Sequence, residues 1–310
     1  MVKKVVFLYP GQGAQQVGMG SDLYQTYPRA RQYFEKADRQ LGLSLTRLCF
    51  EGPGEDLDKD LHAQLTVYTV SCILTDVLRN YRIFPDAVSG YSSGFYAAAY
   101  AAGCFDFSYG LNLVKRAGEI LLDEGRKING SMAVVFGLSH QKVAQICQQV
   151  ENVEVAILNT PRQIIISGID SAVKNVMAIS LEAGALDAYP LSADTAYHCG
   201  LMKKSGLRFL REIEDKQLKN PQTPLMSYRS LKWVTDKRDL KKVMASQLSG
   251  PVRWVDLIKR LCDKRNVMVF EVGPGHVISR TVRWIDRNIK IIDTATNAKV
   301  MDAVGKYRKI

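Results

Sequence analysis

The stretch "AVSGYSSGFYAAAYAAG", Ala87 to Gly103, constrains this chain more than any other. A short apolar segment enters a turn with glycines at 90 and 94, and the turn opens into a small-residue helix that Gly103 ends. A strand that passes through a tight turn directly into a packed helix is a building unit of α/β folds. The flanking sequence repeats that alternation. "KKVVFLYPGQGAQ" reads as a buried strand and a glycine turn. "DLYQTYPRARQYFEKADRQL" reads as a helix broken near Pro28, and "LTVYTVSCILTDVLRNY" as a strongly apolar helix. "DFSYGLNLVKRAGEILLDEG" follows as a helix with Asp106 or Ser108 as its N-cap. Strands alternating with helices predict an α/β fold with a mostly parallel sheet.

The middle of the chain has a different rhythm. "SMAVVFGL" is a strand, and "SHQKVAQICQQV" is an amphipathic helix capped by Ser139. "VEVAILNTPRQIIISG" gives two strands around an Asn-Thr-Pro-Arg turn, "DSAVKNVMAISLEAG" a helix and "ALDAYPL" a strand. The order β-α-β-β-α-β is that of a ferredoxin-like unit. It predicts a small subdomain over residues 129–192 inserted into a larger core of residues 1–128 and 193–310. Beyond it come a helix from "HCGLMKKSGLRFLREIED", a strand from "PLMSYRS", two helices around Pro251, and a late strand and glycine turn in "VMVFEVGPG".

Composition removes several function classes. The 310 residues are 46% hydrophobic and 24% charged, enough for a large core. The opening reads as a strand rather than a signal peptide, and no apolar run approaches the ~18 to 20 residues of a membrane span. Six scattered cysteines without CxxC spacing fit a reduced, cytoplasmic protein with no structural zinc site. The net charge is +11, which favours an acidic partner. Its lysines and arginines are dispersed, in pairs such as Lys203-Lys204 and Lys241-Lys242, without the aromatic interleaving of an RNA binder. Neither a nucleic-acid nor a membrane partner is expected.

Gly90-Tyr91-Ser92-Ser93-Gly94 fits G-x-S-x-G with Ser92 at its centre. The pattern suits a nucleophile on a strained strand-to-helix turn, where flanking side chains would clash and the helix N-terminus aims N–H groups at a developing oxyanion. A small-residue turn before a packed helix explains the same letters. The four histidines help to choose between the two. His62 and His140 fall at or just before helix starts, and His276 follows a Gly-Pro-Gly turn. His198, in "DTAYHCGLM", lies at a loop-to-helix junction, and the "GQG" turn of the first strand can bring a further backbone amide. A serine, a late histidine and a glycine turn together make an acyl-transfer constellation.

"FLYPGQGAQ", "GYSSG", "ILNTPRQIIISG", "AYHCGLM", "SQLSGPVRW" and "FEVGPG" occur in the order and spacing of malonyl-CoA:acyl-carrier-protein transacylases, a family related to the acyltransferase domains of polyketide synthases. The chain resembles that family over essentially its whole length. The resemblance implies an α/β-hydrolase-like core with an inserted ferredoxin-like subdomain. It matches Ser92 to the nucleophile and His198 to its base. Gln12 and Ser93 match the residues whose backbone N–H groups form the oxyanion hole, and Gln247 the one whose main-chain carbonyl holds the histidine. Gln64 and Asn159 match positions lining the pocket. Asp194, four residues before His198, is a candidate triad acid to which the family pattern gives no such role. The implied reaction moves an acyl group from a coenzyme A or carrier-protein thioester, through an acyl-enzyme, to the phosphopantetheine thiol of an acyl carrier protein. No bound cofactor or metal is implied. Carrier proteins are acidic, in keeping with the +11 charge, and a monomer is expected.

The sequence departs from the family in three places. Tyr91 replaces the usual histidine before the nucleophile, and Tyr197 the usual phenylalanine before the base. Both alter the pocket wall. The third bears on substrate. Relatives that carry malonyl have an arginine in L-V-x-x-R-G, and here "LVKRAG" puts Ala117 at that position with Arg116 one residue early. One helical step turns a side chain by about 100°. An acyl group without a free carboxylate is therefore expected. The alternatives are malonyl transfer through Arg116, a thioesterase-like editor in which water resolves the acyl-enzyme, and a non-catalytic scaffold on the same fold.

Overall fold

A computed structural model describes residues 4–262 and 267–309. The chain begins with β1 (Lys4–Tyr9), α1 (Ser21–Thr26), α2 (Pro28–Leu41), α3 (Leu45–Glu51), α4 (Gly54–Leu57) and α5 (Asp60–Asn80). Next come β2 (Ala87–Gly90), α6 (Gly94–Ala101) and α7 (Phe107–Gly125). A second unit comprises β3 (Gly130–Phe136), α8 (His140–Cys147), β4 (Val153–Thr160), β5 (Gln163–Ile169), α9 (Asp170–Glu182) and β6 (Asp187–Pro190). The chain closes with α10 (Lys203–Glu212), α11 (Lys237–Gln247), α12 (Trp254–Cys262), β7 (Val267–Glu271), α13 (Val277–Ile285), β8 (Ile291–Asp293) and α14 (Asn297–Tyr307).

The core sheet has the order β2-β1-β7-β8, and all its pairings are parallel. Its central strands are covered on both faces, so β1 and β7 read as continuous apolar runs rather than alternating ones. The longest helix, α5, has the length and apolarity of a membrane span, but 89% of that window is buried within the fold. Its apolar surface is therefore used inside the protein. All six cysteines are free and buried.

The second sheet is antiparallel throughout, with the order β4-β5-β3-β6, the strand arrangement of a ferredoxin-like unit. Residues alternate between its faces. Ala133 and Val135 pack with Val143 of α8 and Val173 and Val176 of α9. Met132, Val134, Ile157 and Ile165 turn the other way and join the main core. That inward face supplies one wall of the cavity described below.

Two expectations change. "PLMSYRS" makes isolated bridges, Val88 to Leu225 and Met226 to Trp233, instead of a strand. Pro224 accepts from the Val88 amide but has no N–H to extend the ladder. The chain then turns, with Leu231 at φ 57°. The helix expected from His198 begins at Lys203, after a 3-10 turn over Gly200–Met202, so His198 lies in loop.

The junction of β1, β2 and α6 leaves no room for side chains. A Cβ at Gly94 would stand 2.2 Å from the Tyr9 carbonyl oxygen, and one at Gly90 2.2 Å from the Gly94 carbonyl carbon. Gly94→Ala should therefore destabilise the protein by at least about 2 kcal/mol. Gly305→Ala, in α14 with open space around it, should stabilise by roughly 0.5–1 kcal/mol. Denaturant midpoints measure both; equal effects at the two sites would contradict this packing.

Candidate active site

The C-terminal ends of two neighbouring parallel strands build the site. β1 leads into Pro10-Gly11-Gln12, and β2 into Tyr91-Ser92-Ser93. The Tyr91 amide donates to the Tyr9 carbonyl at 2.8 Å and holds the two turns together. Ser92 has φ 52°, in the left-handed region that a side-chain-bearing residue rarely occupies. Hydrogen bonds from the Gly94 amide to Tyr91 and from the Phe95 amide to Ser92 close the turn into α6.

His198 reaches Ser92 from the far side. Its Nε2 lies 2.7 Å from the Ser92 Oγ. Its Nδ1 lies 3.1 Å from the Gln247 carbonyl oxygen and 3.2 Å from that of Gly250. Carbonyls only accept, so Nδ1 carries the proton and Nε2 is the free base facing the serine hydroxyl. The two carbonyls come from the end of α11 and the loop after it, where helical carbonyls lack intrahelical partners. Burial pushes the His198 pKa down to about 4, against a smaller opposing effect of the Gly250 and Gln247 carbonyls. The imidazole is neutral near pH 7. His198 itself sits at φ 60°, a second left-handed residue in the pair.

Asp194 takes no part in this arrangement. It is exposed, and its backbone N–H donates to Asp60 at 2.9 Å. Partial burial, then the neighbouring Asp60 charge, raise its carboxyl pKa. The other histidines are engaged elsewhere: His62 with the Asp56 carbonyl and His276 with Asp293, while His140 opens α8. Among the described residues no three His, Cys, Asp or Glu side chains gather in a metal-binding group.

The Gln12 amide faces the same turn and donates to the Ser93 hydroxyl at 3.2 Å. Its side chain belongs to a polar chain: Gln64 donates to Gln12 at 3.1 Å, and Gln12 donates to Asp60. Tyr197 also donates to Asp60, at 2.5 Å. Gln12, Gln64 and Tyr197 border a cavity of about 460 Å³ lined also by Tyr91, Ser92, Ser93, Ala117, His198 and Gln247, with Met132, Ile157 and Ile165 from the second sheet.

Two sequence candidates lie outside that wall. Asn159 stands one layer back, where it accepts from the Tyr91 hydroxyl at 3.0 Å and ties β4 to the serine turn. Arg116, expected at the pocket, is on the opposite flank of α7. It is half-buried, pairs with Glu212 and Glu119, and borders a separate groove with Tyr109 and Phe209. The one-residue offset from Ala117 accounts for this, because the cavity takes the face bearing Ala117 and Leu121. Gly250, Asp60 and Tyr228 are the site residues that sequence reasoning misses. Tyr228 packs edge-on to the His198 ring at 6.1 Å. "SQLSGPVRW" contains Gly250, but nothing in the letters assigns its carbonyl to the histidine.

The family model of the acyl transferase domain matches residues 6–309. The chain belongs to the acyltransferase family. It is 33% identical over 295 residues to the malonyl CoA-acyl carrier protein transacylase of Bacillus subtilis, covering 94% of this chain and 93% of that one. It is likewise 33% identical over 287 residues to a polyketide biosynthesis malonyl CoA-acyl carrier protein transacylase of Bacillus velezensis, covering 91% and 96%. The transacylase of Coxiella burnetii superposes with a TM-score of 0.95 at 26% identity, over 99% of this chain and 98% of that one. A malonyl-transacylase solved in complex with its type II polyketide synthase acyl-carrier protein gives 0.94 at 27% identity, over 98% and 99%. This acyltransferase therefore has the family's two-part α/β architecture along its whole described length.

Replacing Ser92 by Ala should abolish acyl-enzyme formation, seen as loss of the acyl mass increment. His198→Ala should slow acylation by at least ~10²-fold. A base with a pKa lowered to about 4 stays unprotonated at neutral pH and is lost only as pH falls through that value. The acylation rate constant kcat/KM should thus be flat from neutral pH to about 5 and fall on the acid side. A limb near 6.5 would mean that His198 is solvated during the reaction.

Proposed function

We propose that this acyltransferase carries an acyl group, through a Ser92 ester, from a coenzyme A or carrier-protein thioester to the phosphopantetheine thiol of an acyl carrier protein. The observation that carries the reading is the 2.7 Å contact between the Ser92 hydroxyl and the unprotonated Nε2 of His198. In the first half-reaction His198 takes the hydroxyl proton as Ser92 Oγ attacks the thioester carbonyl. In this reading the resulting oxyanion accepts from the backbone amides of Gln12 and Ser93, the residues the resemblance matches to that role. Collapse breaks the C–S bond, and the leaving thiolate takes the proton back from His198. The second half-reaction runs the same steps in reverse with the carrier thiol, a ping-pong cycle.

The Gln12 amide is held by the Ser93 hydroxyl, so substrate must displace one weak hydrogen bond to use it. The partner assignment is supported by the relative solved with its acyl carrier protein and by the +11 charge, which favours an acidic protein. No cofactor is needed by this chemistry. Polyketide biosynthesis is the setting of one relative named above, and fatty acid or polyketide-type biosynthesis is the setting this reading gives the chain.

We further infer that the acyl group lacks a free carboxylate. Ala117 lines the cavity, and among the described residues no lysine or arginine does. Arg116 is already committed to Glu212 and Glu119 on the other side of α7, which weighs against malonyl transfer through it. A malonyl carboxylate buried without a cation would be an uncompensated charge, at a cost of about 3 to 5 kcal/mol.

A panel of acyl-CoAs tests the reading by the mass of the acyl-enzyme and the label passed to a carrier protein. Acetyl or longer neutral groups should load faster than malonyl. Ala117→Arg should raise the malonyl-to-neutral ratio at least ~10-fold, and Arg116→Ala should leave it unchanged. Wild-type preference for malonyl that Arg116→Ala destroys would overturn the substrate assignment. Label appearing only as free acid, with carrier protein present, would replace transfer by hydrolysis.

A further inference from the structure

Asp60 is a buried carboxylate that none of the transfer chemistry uses. It is 3% exposed and opens α5, where the helix N-terminus favours negative charge. One oxygen accepts from the Gln12 side-chain amide. The other accepts from the Tyr197 hydroxyl at 2.5 Å and the Asp194 backbone amide at 2.9 Å. All three donors are neutral, and no salt bridge to Asp60 occurs among the described residues. Its charge is felt nearby, since it helps to raise the Asp194 carboxyl pKa.

Two consequences follow for the cavity. The first concerns hydrogen-bond donors. Gln12 and Tyr197 both line the cavity, and each donates to Asp60, Tyr197 with its one O–H and Gln12 with one of its two amide N–H groups. Gln64 gives one amide N–H to Gln12, and Gln15, also at the wall, gives one of its own to Asp58 at 2.9 Å. Of the four glutamine side chains at the wall, Gln247 keeps a free buried amide, a neutral donor suited to a carbonyl or hydroxyl. The second concerns charge. Asp60 lies one side chain behind Gln12 and Tyr197, and Asp58 is at the wall itself. Among the described residues the one ionisable cavity residue of basic type is His198, which burial keeps neutral. Arg126 offsets part of the charge at Asp194 but is not at the cavity wall.

We propose that Asp60 is a specificity-determining residue that excludes acyl groups bearing a carboxylate, by placing an unpaired negative charge behind the pocket and by drawing the Tyr197 hydroxyl and one Gln12 N–H away from it. The inference rests on the neutral-acyl reading above and adds to it a repulsive element beside the missing cation. Two like charges separated by one side chain repel strongly in a buried, weakly screened site.

The test uses the purified full chain with acetyl-CoA and malonyl-CoA and reads kcat/KM for acyl-enzyme formation with each. Asp60→Asn removes the charge at constant shape and should raise the malonyl-to-acetyl ratio by at least about tenfold. Tyr197→Phe removes a donor already committed to Asp60 but keeps the charge, and should leave the ratio unmoved. Asp60→Ser, smaller and also neutral, gives the same reading if the asparagine variant fails to fold. A ratio unchanged by either neutral variant, with both rates lowered together, would reduce Asp60 to a positioning residue for Gln12 and Tyr197 and overturn the proposal. That outcome leaves the neutral-acyl reading intact, whereas a wild-type preference for malonyl would defeat that reading itself.

Discussion

The site depends on how His198 is held. A histidine beside a serine is a base only if the nitrogen facing the hydroxyl is unprotonated. Here the backbone decides that, because the Gln247 carbonyl at the end of α11 and the Gly250 carbonyl in the loop after it accept from Nδ1. No carboxylate is required to fix the tautomer. Burial then keeps the ring neutral, and the carbonyls, unlike an aspartate, add little to counter it. The arrangement ties the base to the position of α11, and through Gly250 to the loop ahead of α12.

The opposite half of the site is fixed by packing. Gly90 and Gly94 let β1, β2 and α6 approach so closely that the chain between them must turn sharply, which puts Ser92 at positive φ. A strained residue persists only where its surroundings over-determine it, and here strand pairing and turn hydrogen bonds do so. Asp60 spans the two halves. It receives Gln12 from the β1 turn and Tyr197 from the residue before the base, so one buried carboxylate links the serine's side of the site to the histidine's.

Much of this is legible in the letters for physical reasons. Glycine spacing marks the turn at Ser92, because only a residue without Cβ fits at 90 and 94. The β-α-β-β-α-β order of the middle segment predicts its separate ferredoxin-like sheet, and helical geometry alone separates Ala117 from Arg116. Tertiary relations are less readable. Asp60 in a first helical turn reads as an ordinary N-terminal acid, and only the folded chain brings Gln12 and Tyr197 to it. Asn159 matches a pocket position but touches the pocket only through Tyr91. "PLMSYRS" has strand-like residues, yet Pro224 and the turn after Tyr228 leave it only isolated bridges.

The most direct measurement of the central claim is the ¹⁵N spectrum of the histidine side chains in the unliganded protein, with His198→Gln to assign the resonance. His198 should be the neutral tautomer protonated at Nδ1 from roughly pH 5 to 8, titrating only near about 4. A proton found on Nε2, or a midpoint near the ordinary histidine value of about 6.5, would contradict it: the carbonyls of Gln247 and Gly250 would then not be what makes His198 a base.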